Sequence, residues 1–135
     1  LIMENFNLEM TEKDFYKGKL NLDSGRYVEA LAIYDNLISG NEKFAGDKDA
    51  DLLLETSLNN RGVAKCKLGL ISRDKDMYKS GMSDFEKSIH IDNPNSEAEK
   101  KHLTAFLNLT FSEKEIQCFD KEEKENFNFD NFLSI

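Results

Sequence analysis

At 135 residues, with 39% hydrophobic content and one proline, the chain can bury one core and reads as a single domain rather than a disordered polymer. A formal charge of −8 excludes the basic face that releases counterions from phosphate, so neither nucleic acid nor an anionic membrane surface is an expected partner of this acidic chain. The sequence has no apolar run of about eighteen residues and no basic-then-apolar leader pattern, so we expect a soluble cytoplasmic protein.

Glu12 to Leu22 reads as a first helix, in which Phe15, Leu20 and Leu22 alternate with charged residues until the turn triplet Asp23-Ser24-Gly25. Tyr27 to Ile38 follows, with Val28, Leu31, Ala32, Tyr34 and Leu37 recurring at three- and four-residue steps, and stops near Ser39-Gly40-Asn41. The segment GNEKFAGDKD at 40–49 is a loop, and Asp47 or Asp49 caps a third helix from about Ala50 to Leu68. Leu52, Leu53, Leu54, Leu58, Val63, Ala64 and Leu68 give that helix an apolar face wide enough for packing on both sides, which makes it the expected centre of the fold.

A fourth helix runs from Met77 to Ile91 and ends at Asp92-Asn93-Pro94, because proline disfavours helical backbone in the residue before it. Asn95 or Ser96 caps a fifth helix through Ala98, Leu103, Phe106, Leu107 and Leu109. From Ser112 the sequence predicts a short helix, SEKEIQCFDKEEKENF, and an aromatic-rich end, NFNFDNFLSI. Phe127, Phe129, Phe132 and Leu133 form the most hydrophobic cluster outside the periodic helices. They fold back onto the chain's own groove, dock onto a neighbouring copy as a homodimer contact, or stay disordered; the first two are favoured, since exposed aromatics mark contact sites.

Two glycine-aromatic patterns repeat: Gly18, Gly25, Ala30, Tyr34, and then Gly62, Gly69, Gly81, Phe85. In each, small residues let two antiparallel helices cross closely and a ring fills the remaining space. The pattern, with Tyr27 in the first copy and Leu68, Ser88 and Pro94 in the second, resembles the tetratricopeptide repeat, a helix-turn-helix unit of about 34 residues. The resemblance implies an all-α stack of antiparallel hairpins with about five or six helices: repeat 1 over about 11–42, repeat 2 over about 50–94, a capping helix at 95–111 and a tail at 112–135. The interval from Gly18 to Gly62 exceeds the family period, and that from Gly69 to Gly81 exceeds that from Gly25 to Ala30, which places an excursion in the second intra-hairpin turn through Ile71 to Met77.

In this family the concave face is lined by fixed positions of the first helix of each hairpin, which here are Tyr16, Lys19 and Asp23, then Asn59, Asn60, Val63 and Lys67. The resemblance therefore implies partner binding at Tyr16, Lys19, Asn59, Asn60, Val63 and Lys67, with plain solvation of a helix face as the rival account of the two asparagines. One subset of the family clamps a peptide's terminal carboxylate; Asn60 fits that pattern, but Phe15 and Lys19 stand where lysine and asparagine are needed, so the clamp is incomplete although Lys100 and Lys101 are near in sequence.

No catalytic residue, metal site or cofactor is expected. Asp47, Asp49 and Asp51 alternate like the start of a calcium loop, yet Leu52 and Leu58 occupy the places that need glycine and glutamate, so the acidic turn is read as complementing a helix dipole. Cys66, His90, His102 and Cys118 lack metal-ligand spacing, and the two cysteines are expected to stay reduced. No phosphate loop or nucleophile motif occurs. The expected function is that of an adaptor binding a peptide or helix of another protein. A small self-associating structural protein and a co-chaperone or secretion-chaperone role are the alternatives, with an enzyme or metal protein behind them.

Overall fold

The computed structural model describes residues 5–91, 96–120 and 131–135. Their secondary structure is helical throughout: α1 (Leu8–Asp23), α2 (Tyr27–Asn41), a 3-10 turn (Glu42–Phe44), α3 (Lys48–Ser72), α4 (Lys75–Ile89), α5 (Ser96–Glu115) and a second 3-10 segment (Ile116–Asp120). The fold is all-α, and its described residues form five α-helices packed on one another. Helix α3 touches all four of the others, as its broad apolar face requires.

Side-chain caps set the helix starts. Asn7 accepts a hydrogen bond from the Met10 amide, so α1 begins ahead of the expected Glu12. Asp47 accepts from the amides of Asp49 and Ala50, and Asp74 accepts from that of Met77. Asp51 receives the Gly46 amide at 3.1 Å, so the acidic run closes the start of α3 on itself. The first hairpin turns through Gly25, whose φ of +79° belongs to the left-handed region that glycine enters without a Cβ clash.

The second hairpin differs from the sequence expectation. There is no excursion through Ile71 to Met77: α3 continues to Ser72, and Arg73, at φ 57°, takes the left-handed position before Asp74 caps α4. Gly69 is therefore not a turn residue but a second crossing point, where an added Cβ would stand 2.8 Å from the Tyr78 amide nitrogen and 2.9 Å from the Asp74 oxygen. The longer glycine interval is absorbed by longer helices, which keep Gly62 and Gly69 two turns apart on one face.

Close crossing is the rule in both hairpins. A Cβ on Gly18 would lie 2.9 Å from the Tyr34 ring, and one on Gly62 would lie 2.6 Å from the Phe85 ring. Each ring thus occupies the space its glycine leaves, and Tyr34 and Phe85 are both fully buried. Polar ties complete the stack: Ser88 donates to the Glu55 carbonyl at 2.8 Å, and His102 Nε2 lies 2.8 Å from Glu55 Oε1, binding α4 and α5 to α3. Helix α5 runs past the expected boundary at 111 to Glu115, taking in the start of the expected short tail helix, and a 3-10 segment follows over Ile116–Asp120. The helix end assigned to Asp92-Asn93-Pro94 and the aromatics Phe127 and Phe129 lie outside the described residues.

Candidate functional site: an asparagine-lined groove

Asn59 and Asn60 on α3 and Asn108 on α5 meet between the two helices, and their exposures are 0%, 0% and 1%. Buried amides need partners, since an unmade hydrogen bond there costs about 1–3 kcal/mol. Asn108 Nδ2 donates to Asn59 Oδ1 at 2.9 Å, Asn59 Nδ2 donates to Asn60 Oδ1 at 3.2 Å, and Asn60 Nδ2 donates to the Tyr34 hydroxyl at 3.0 Å. The chain of amides runs from α5 through α3 to α2. Solvation of a helix face does not account for these residues.

The remaining capacity of these amides goes to the chain's own C-terminal segment. Asn108 accepts the Leu133 N–H and donates to the Leu133 carbonyl, both at 2.9 Å. Asn60 treats Ile135 alike, accepting its N–H at 2.8 Å and donating to its carbonyl at 3.3 Å. Asn59 adds a bond to the Leu133 carbonyl at 3.0 Å. An extended chain presents the N–H and C=O of alternate residues to one edge, so the two asparagines act on it as a neighbouring strand would.

Between these grips the side chains alternate. Phe132 is buried among three rings, with centroids 5.2 Å from Phe111, 6.1 Å from Tyr78 and 6.1 Å from Phe85, two edge-on and Phe85 stacked. Leu133 points outward and is exposed. Ser134 turns inward again: its hydroxyl accepts from Lys19 Nζ at 3.1 Å and donates to Asp23 Oδ1 at 3.1 Å. An open cleft of about 520 Å³ runs beside it, lined by Tyr27, Val63 and Lys67 among others.

Five of the six expected binding residues thus converge. Lys19, Asn59 and Asn60 bond the tail, while Val63 and Lys67 line the adjoining cleft, the Lys67 ammonium lying 5.7 Å from the Tyr27 ring centroid. Tyr16 is the exception: it is 64% exposed, packs on Phe15 and borders a separate hollow with Leu52 and Thr56. Its helical position turns it one face too far round α1. Phe15 is a core residue packed against Tyr34. Asn108 and Tyr34 also belong to the groove's hydrogen-bond chain, though the sequence alone does not place them there. An amide flanked by Leu107 and Leu109, inside the apolar stripe of α5, was the available signal for Asn108.

Electrostatically the groove is nearly neutral at its centre. Burial pushes the Tyr34 phenol well above its ordinary value, with the Asn60 hydrogen bond opposing and the Asp23 charge reinforcing the shift. Charge is gathered elsewhere, where Arg61 makes a two-bond grip on buried Asp84 at 2.8 Å, Lys65 joins Asp84 at 3.0 Å and Asp35 meets Arg61 at 3.0 Å. Burial alone would lower the Arg61 guanidinium, but its bonds to Asp84 and then Asp35 hold it above the usual value. Among the described residues no three His, Cys, Asp or Glu side chains are placed to hold a metal ion, and no helix is long and apolar enough to cross a membrane. No protein-family profile, characterised protein or solved structure matches this chain.

Proposed function

We propose that this chain is a non-catalytic interaction module that holds an extended segment of a partner protein in its asparagine-lined groove, where its own residues 132–135 sit until displaced. The observation that carries the reading is the double grip of Asn108 on Leu133 and of Asn60 on Ile135. Side-chain amides that meet the tail only at main-chain groups suit any extended peptide, which is the logic by which added strands are recognised at sheet edges. The glycine-ring crossings of both hairpins support the likeness to tetratricopeptide repeats, whose concave faces serve such binding. A cytoplasmic adaptor is the role this reading favours.

The test uses the full-length chain with Phe132→Ala, which removes the tail's buried anchor, and a labelled peptide of residues 130–135. Saturable binding to the variant, with shifts of the side-chain amide signals of Asn59, Asn60 and Asn108, is the expected result. Absence of binding to a variant that circular dichroism shows to be folded would make the tail a fixed part of the fold and end the proposal. Concentration-dependent sedimentation of the wild type, abolished by the substitution, would instead favour self-association through exchanged tails.

A further inference from the structure

The way Ser134 is held says more than that a peptide fits. Its hydroxyl lies between a group that can only donate, the Lys19 ammonium, and one that can only accept, the Asp23 carboxylate. A side chain placed there must donate and accept through one atom, which a hydroxyl does and which an amine or a carboxylate does not. A carboxylate would face Asp23 and an ammonium would face Lys19, each across about 3 Å of like charge. Lys19 and Asp23 also pair with each other at 3.6 Å, so the couple stands ready on one face of α1.

Two positions before the hydroxyl stands the aromatic. The Phe132 ring meets the edges and faces of Tyr78, Phe85 and Phe111, an arrangement that uses the ring quadrupole and that a branched aliphatic side chain cannot reproduce. The residue between them, Leu133, contributes its N–H and C=O to Asn108 while its side chain stands in solvent. The fourth residue is read through its main chain by Asn60. The groove therefore reads two side chains and two peptide units.

Resting on the interaction-module reading above, we infer that the partner segment is an extended peptide of the pattern aromatic, any residue, serine or threonine, any non-proline residue. Proline is excluded at the second and fourth places, because Asn108 and Asn60 each require an N–H there. The occupant is thus a sequence-defined segment in an unstructured part of another protein, chemically equivalent to Phe132-Leu133-Ser134-Ile135.

A peptide series on the full-length Phe132→Ala protein tests the pattern, with full-length Leu133→Pro, which deletes the amide given to Asn108, as the second host if the first does not fold. Against the peptide DNFLSI, replacing its phenylalanine by alanine is expected to weaken binding about 100-fold or more. Replacing its serine by alanine should cost about 5- to 10-fold, and by glutamate or lysine more. Replacing its leucine by alanine should change affinity by less than about 3-fold, whereas proline there should abolish binding. Adding Lys19→Ala to the host should erase the preference of serine over alanine. Equal binding of all these peptides would overturn the pattern while leaving the groove a general peptide site, and binding of none would overturn both.

Discussion

Gly62 on α3 and Gly81 on α4 face one another so closely that a Cβ built on either would stand within 2.8 Å of the other's carbonyl oxygen. The obstacle is backbone, which cannot swing aside. Gly62→Ala is therefore expected to destabilise the protein by about 1–3 kcal/mol, despite alanine's better helix propensity. Gly40, inside α2 with nothing within 4 Å of its would-be Cβ, is the control: Gly40→Ala should be neutral or stabilising by up to about 1 kcal/mol. Urea denaturation of both variants compares them directly, and equal midpoints would contradict the crossing argument.

Asp84 is buried and takes two bonds from the Arg61 guanidinium as well as the Lys65 ammonium. Asp84→Ala leaves Arg61 with Asp35 and Lys65 with Ser80 as remaining partners, and both cations reach partly to water. The expected loss is at least about 2 kcal/mol, below the full penalty of stranding a wholly buried charge. A double-mutant cycle with Arg61→Met should recover part of it, and strict additivity would mean that the two residues do not interact.

The raised Tyr34 phenol makes a statement about alkaline stability. With burial as the main cause, the folded state keeps the proton above pH 10.0, where the unfolded chain releases it, so the unfolded state binds fewer protons. Stability should be unaffected by this group below about pH 9 and fall by up to about 1.4 kcal/mol per pH unit above pH 10. Tyr34→Phe should flatten that part of the profile; an unchanged alkaline slope would show that other groups produce it.

Cys66 is a free thiol, fully buried, and its pKa is pushed up by burial and further by the charges of Glu115 and Asp84, against a smaller opposing effect of Lys65. Only the thiolate reacts, so alkylation in the native protein should proceed through opening and be slower than in urea by a factor of about 1,000 or more. Peptide mapping after timed iodoacetamide treatment follows this residue alone. Modification at the unfolded rate would place the sulfur at the surface.

Periodic apolar residues and glycine-ring spacing made the hairpins legible, because both depend on neighbours a few positions apart. The second turn was less legible, since a glycine near a helix end signals a turn as readily as a crossing and only the partner helix decides; here Tyr78 and Asp74 crowd Gly69 while Arg73 makes the turn. Lys19, Asn59 and Asn60 came from the resemblance of the first hairpin helices and do meet in one groove. Tyr16 did not join them, because that placement carried no information on how far α1 is rotated. Asn108 was invisible for a different reason: its partners, Asn59 and Leu133, are distant in sequence and nothing local marks them as mates.

The occupant of the groove is covalently part of the molecule that holds it. A segment within the same chain is present at an effective concentration of about a millimolar, whatever the protein's own dilution. A free segment that docks with the same strength must reach that level to win half the grooves. On the proposed reading, partners delivered in arrays, or brought close by a second point of attachment, have a large advantage over dilute single copies. On that reading the Asn108 and Asn60 grips set a threshold of local abundance as well as a shape.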